Sequence, residues 1–169
     1  MRLWGVIFSV VFVCAFGVTM SESTAEVGKL PAAEAVLKAI VDSLGDQEAL
    51  VDAFGRLYPE THVLEQGNDQ IMLDLWADGQ PYASVFMSRT ASPNATTAIF
   101  SYWDPDILVT SFATEAAKWV EGEVGPLVTQ TSDPDLPVMT ASSGKRLVTL
   151  SRVASGEESQ FDITVSLSD

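Results

Sequence analysis

The sequence predicts an α+β fold, with helices packed on a largely antiparallel sheet built around a central β-meander. Three observations predict it. Alternating apolar runs flank an Asp78-Gly79 dipeptide, a strong hairpin signal because a type I′ turn needs positive φ at both central residues. Apolar stripes at helical spacing precede and follow those runs, and the C-terminal end of the chain alternates with period two.

The meander spans Gln70 to Trp103, with a second turn around Ser92-Pro93-Asn94. A two-residue turn at Asp78-Gly79 sets Ala77 opposite Gln80, Leu75 opposite Tyr82, Leu73 opposite Ser84 and Ile71 opposite Phe86. Ile71, Leu73, Leu75, Tyr82, Ser84 and Phe86 then share one face. Met72, Asp74, Trp76, Ala83, Val85 and Met87 share the other. Both faces carry bulky apolar groups, whereas a sheet with one wet face is polar on that side. Either the protein's own elements cover both faces, or the second face meets a partner. On the second reading Met72, Trp76, Val85 and Met87 are the partner-binding candidates.

Residues 1–25 have the form of a secretory signal peptide. Arg2 precedes an uncharged run from Leu3 to Met20, and Ser23-Thr24-Ala25 supplies small residues for cleavage after Ala25. The run is close to the length of a spanning helix, so an uncleaved membrane anchor is the alternative. Val13 directly before Cys14 is too bulky for a lipid-modified cysteine. Cleavage removes that sole cysteine, leaving no disulfide to form, which suits the bacterial periplasm better than a eukaryotic extracellular space. Asn94-Ala95-Thr96 is a glycosylation sequon only in a eukaryotic secretory pathway. The net charge is −14, and removing Arg2 and Glu22 with the signal leaves it unchanged. Such a balance argues against nucleic acid and anionic membrane surfaces as partners.

Residues 26–30 read as a short linker to a single domain, 31–169. Pro31 opens a helix striped with Val36, Leu37, Ile40, Val41 and Leu44, and Gly45 ends it. Asp46 caps a second helix carrying Leu50, Phe54 and Leu57, which Tyr58-Pro59 stops. Thr61 to Glu65 is a short strand. After the meander, Asp104-Pro105-Asp106 breaks the chain and Ile107 to Val109 cross over. Thr110 or Ser111 then caps a third helix with Phe112, Ala116, Trp119 and Val120 on one stripe, ended by Gly125-Pro126. Four strands follow, at 127–130, 137–141, 145–153 and 160–167. In the last, Phe161, Ile163, Val165 and Leu167 point inward and Asp162, Thr164 and Ser166 outward. No repeat of 20–50 residues is evident.

Several chemistries are excluded by residue type. His62 is the sole histidine, and nothing beside it marks the base of a nucleophile. No G-x-S-x-G is present. One histidine and no mature cysteine make a zinc, iron or copper site improbable. Gly144-Lys145 lacks the rest of a phosphate loop. Asp104/Asp106 and Asp133/Asp135 offer oxygen ligands, but neither pair matches a calcium loop. No cofactor is expected. Trp76, Tyr82, Phe86, Phe100, Tyr102, Trp103 and Trp119 form an aromatic group of the kind that builds cores and, less often, binding surfaces. The expected function is an exported, non-catalytic binding or accessory protein acting on another envelope protein, with self-association as a variant of it. The competing expectation is a small carboxylate-dependent hydrolase with an aromatic carbohydrate-binding surface.

Overall fold

Ala32, following Pro31, leads into α1 (Ala33–Asp42), whose buried stripe is Ala33, Val36, Leu37 and Ile40. Gly45 adopts φ +92° after the helix, a conformation glycine reaches without steric cost. Asp46 then caps α2 (Gln47–Leu57), accepting a 3.0 Å hydrogen bond from the Ala49 amide, worth about 1 kcal/mol. Leu50 and Phe54 are buried beneath it. The computed structural model describes residues 31–168 except 59, 78, 92–93, 132–136 and 156–157. The expected signal, the linker and the Asp133/Asp135 pair lie outside the described residues, as do the side chains of Asn94, Asp104 and Asp106.

The strands are β1 (Glu60–Gln66), β2 (Gln70–Ala77), β3 (Gln80–Ala91) and β4 (Asn94–Pro105), then β5 (Val128–Thr129), β6 (Val138–Ser143), β7 (Arg146–Ser155) and β8 (Glu158–Ser168). The third helix, α3 (Asp106–Glu123), separates the two sets. All eight strands form one antiparallel sheet in the order β1-β2-β3-β4-β8-β7-β6-β5. The α+β prediction therefore holds. The chain is built twice on one plan, a helix followed by a four-stranded meander, with β4 against β8 at the seam. This repetition is one of topology, without a sequence repeat to announce it.

α1 packs against α2 and α3, and all three helices pack over one face of the sheet. That inner face carries Ile71, Leu73, Leu75, Val85, Phe100, Ile163 and Val165, each fully buried. Phe100 is central, stacked on Phe54 of α2 and on Phe112 of α3. Burying an aromatic side chain of this kind stabilises by about 1.5–3 kcal/mol.

Three expectations need correction. First, α3 begins at Asp106, not at Thr110 or Ser111. Residues 107–109 are its first turn rather than a crossover, because a proline just before a helix forfeits no intrahelical hydrogen bond. Second, Leu167 is only half-buried near the end of β8, although Phe161, Ile163 and Val165 are inside as predicted.

The third concerns the central hairpin. Ala77 does pair with Gln80, and Gly79 has φ +72°. Beyond the turn, however, Trp76 pairs with Pro81 and Leu75 with Ala83, leaving Tyr82 as an extra residue in β3. A one-residue slip moves every later side chain of the strand to the other face. Ala83, Val85 and Met87 consequently join Leu75, Leu73 and Ile71 on the inner face, while Phe86 moves to the outer one.

Candidate functional site

The four partner-binding candidates do not share a face. Val85 and Met87 are buried under the helices, and the Met87 sulfur accepts a 3.2 Å hydrogen bond from the Gly45 amide. Met72 and Trp76 lie on the outer face, half-buried by their strand neighbours. Among the described residues no helix or strand is packed over that face.

Ladder register orders the outer face into rows. One row runs Met72, Phe86, Ile99, Thr164, Thr149, Thr140 across β2, β3, β4, β8, β7 and β6. Its chemistry changes at the β4–β8 seam, from apolar to hydroxyl. The adjoining row is polar throughout β1 to β7, as His62, Asp74, Ser84, Ser101, Asp162 and Ser151. Beyond it stand Trp76 on β2 and Trp103 on β4, with Gln160 of β8 opposite Trp103. The β2–β4 half of the face thus carries Met, Phe, Ile and two Trp around the Asp74, Ser84, Ser101 row, while the β6–β8 half is mostly Ser and Thr with smaller apolar groups at Val138, Leu147 and Val153.

Trp76 is held in place by two polar neighbours. Its indole Nε1 donates to Asp74 Oδ2 at 3.3 Å, and the His62 ring meets it edge-on with centroids 5.7 Å apart. Trp76 is half-buried on the face away from the described helices, and a Trp so oriented has little rotamer entropy left to lose on binding.

A separate cleft of about 450 Å³ opens on the inner side, between α3 and strands β6 and β7. Ala113 and Ala117 of α3 line it above, Met139, Leu150 and Phe161 below, with Lys118, Glu121 and Arg152 among its polar groups. Sequence reasoning missed this site. Its one signal was that Arg152 falls in step with Val148 and Leu150 on the inward side of β7.

Among the described residues the outer-face acids give the hydrolase expectation little geometry. Asp74 and Asp162 share a row but stand three inter-strand spacings apart, about 14 Å. Paired glycosidase carboxyls lie about 5–9.5 Å apart. Glu34, Glu115 and Glu123 line a crevice of about 430 Å³ between α1 and α3, beside Trp119 and Lys118. Among the described residues no three His, Cys, Asp or Glu side chains are grouped to hold a metal ion. No helix among them is long and apolar enough to cross a membrane.

No family model matches the chain, and no curated protein matches it. Among solved structures it is similar to the crystal structure of the di-domain ARO/CYC BexL from the BE-7585A biosynthetic pathway, at 12% identity. The match covers 83% of this chain and 82% of that one, with a TM-score of 0.18. At that score the likeness carries no argument about fold or function.

Proposed function

We propose that this chain is an exported, non-catalytic binding protein, an accessory to another envelope protein that it engages through the β2–β4 half of the sheet face opposite its described helices. The contrast across the β4–β8 seam carries the reading. A solvated sheet face is normally polar, as Thr164, Thr149 and Thr140 are. Met72, Phe86 and Ile99 continue the same row with apolar groups, flanked by Trp76 and Trp103. Aromatic residues and Met are enriched at the centres of protein interfaces, and the polar row between them supplies hydrogen-bonding groups.

Export supports a partner in the envelope, by the Arg2, Leu3–Met20 and Ser23-Thr24-Ala25 pattern. The periplasm is the proposed compartment, since a mature chain without cysteine rests on its core alone. N-terminal sequencing of exported protein is expected to start at Glu26 or within a few residues of it. A chain retaining Met1 in the membrane establishes the anchored form instead.

Trp76→Ala tests the surface. The loss of a central Trp anchor is expected to weaken association by about 2 kcal/mol or more. Folding should change less, because Trp76 is only half-buried. Affinity for the envelope partner and a denaturant melt, measured on the same variant, separate the two effects. Self-association through this face is read by sedimentation of the purified protein.

A further inference from the structure

Among the described residues the sheet ends in two edges of unequal kind. β5 closes one side with 2 residues, too short to template another strand. β1 closes the other with 7 residues, hydrogen-bonded to β2 alone among the described strands. The outward N–H and C=O groups of an edge strand are a template for a further strand. All of β1 but Thr61 is exposed, Val63 at 45% and Leu64 at 57% included. Apolar side chains on such an edge give an added strand something to pack on besides the backbone.

Charge decides what that strand can be. Residues 57–88 contain Glu60, Glu65, Asp69, Asp74 and Asp78 and no Lys or Arg. Glu60 and Glu65 stand on the edge itself, near its two ends. The neighbouring cations lie elsewhere. Arg56 lines a crevice between α1 and α2, and Arg89 follows the β1–β2 turn, its amide bonded to the Asp69 carbonyl. Arg146 and Arg152 are on β7, across the seam.

β1 is also bulged between Val63 and Glu65. Bulges and charges blunt edges against chance pairing, which is the plainer reading. Here those charges act selectively. They repel an acidic strand, β1 of a second copy included, and attract a cationic one. Blunting alone gives no reason for Val63 and Leu64 to stand exposed side by side.

We propose that β1 takes an extended cationic segment of another protein as an added strand. The segment pairs antiparallel with Glu60–Val63, the stretch before the bulge, with Lys or Arg beside the two glutamates and apolar groups on Val63 and Leu64. This contact is a backbone edge and does not rest on the outer-face reading.

Calorimetry of the purified protein with a short capped peptide of alternating lysine and valine tests this. The peptide is expected to bind one to one and to slow amide exchange at residues 60–63, read by NMR. The same peptide with glutamate for lysine should not bind. N-methylation at every backbone nitrogen of the lysine peptide should weaken it about tenfold or more, by removing the ladder hydrogen bonds. The Glu60→Lys, Glu65→Lys double variant should weaken the lysine peptide about tenfold and admit the glutamate one. Both residues are exposed, so its melt should match that of the parent. No binding of the lysine peptide overturns the proposal. So does equal affinity for the N-methylated peptide or for the folded double variant, or binding that leaves exchange in β1 unchanged. Protection of the same amides by raised protein concentration alone, with a dimer in sedimentation, seats a second copy there and overturns it too. Should the double variant not fold, exchange at residues 60–63 of the parent protein decides.

Discussion

Phe100 stacks on Phe54, ring centroids 6.1 Å apart and planes inclined by 20°. Phe112 meets Phe100 at 5.9 Å, so one β4 side chain ties α2 and α3 to the sheet. Phe100→Ala removes a fully buried ring from that junction and is expected to cost about 3–5 kcal/mol. Denaturant unfolding of the variant reads the loss directly. A cost of about 1 kcal/mol or less would mean that the junction collapses around the vacancy.

The slipped register of β3 makes its own prediction. Val85 is fully buried opposite Leu73, whereas Met72 is half-buried on the outer face. Val85→Ala should lower stability by about 1–3 kcal/mol, and Met72→Ala by less than about 1 kcal/mol. Similar shifts of the two urea midpoints would restore the unbulged hairpin, in which Met72 and Val85 share a face.

At β8 the same comparison tests one-sided burial. Val165 is buried and its neighbour Thr164 points to the outer face. Val165→Ala is expected to cost about 1–3 kcal/mol and Thr164→Ala close to none. Equal costs in paired melts would contradict the strand's orientation.

Tyr58 links stability to alkaline pH. Burial pushes its hydroxyl well above the usual 10.0, since the phenolate is the form that desolvation penalises. A folded-state pKa raised above the unfolded value gives a contribution fully present below about pH 10. Above that, the unfolded chain sheds its proton first, and stability falls as pH climbs toward the folded value. Tyr58→Phe should therefore flatten the decline of the urea midpoint between about pH 9 and pH 11. An unchanged slope in the variant would show that other groups set the alkaline limit.

Much of the fold was legible because local chemistry and tertiary packing agree. Asp46 caps α2 as its residue type demands, and the Val36, Leu37, Ile40 stripe is buried. The β8 alternation sorted three of four apolar residues correctly. The β2–β3 register was not legible from alternation, because Tyr82 interrupts the period-two pattern by one residue. Pro81 was the available warning, since a proline inside a strand sits at an edge, a first position or a bulge. That single residue split the candidate surface, sending Val85 and Met87 inward and bringing Phe86 beside Met72. The cleft was hidden for another reason. It depends on how α3 lies across β7, a tertiary relation that no local period encodes.

The central claim, that the β2–β4 half of the outer face is the binding surface, is tested most directly by photo-crosslinking in cells. A benzophenone amino acid replaces Phe86 in one variant and Thr149 in another, both outward-facing residues of the same row on either side of the β4–β8 seam. The account predicts a discrete protein adduct from position 86, lost when Trp76→Ala is added, and none from position 149. Adducts of equal yield at both positions, or at neither, would contradict it.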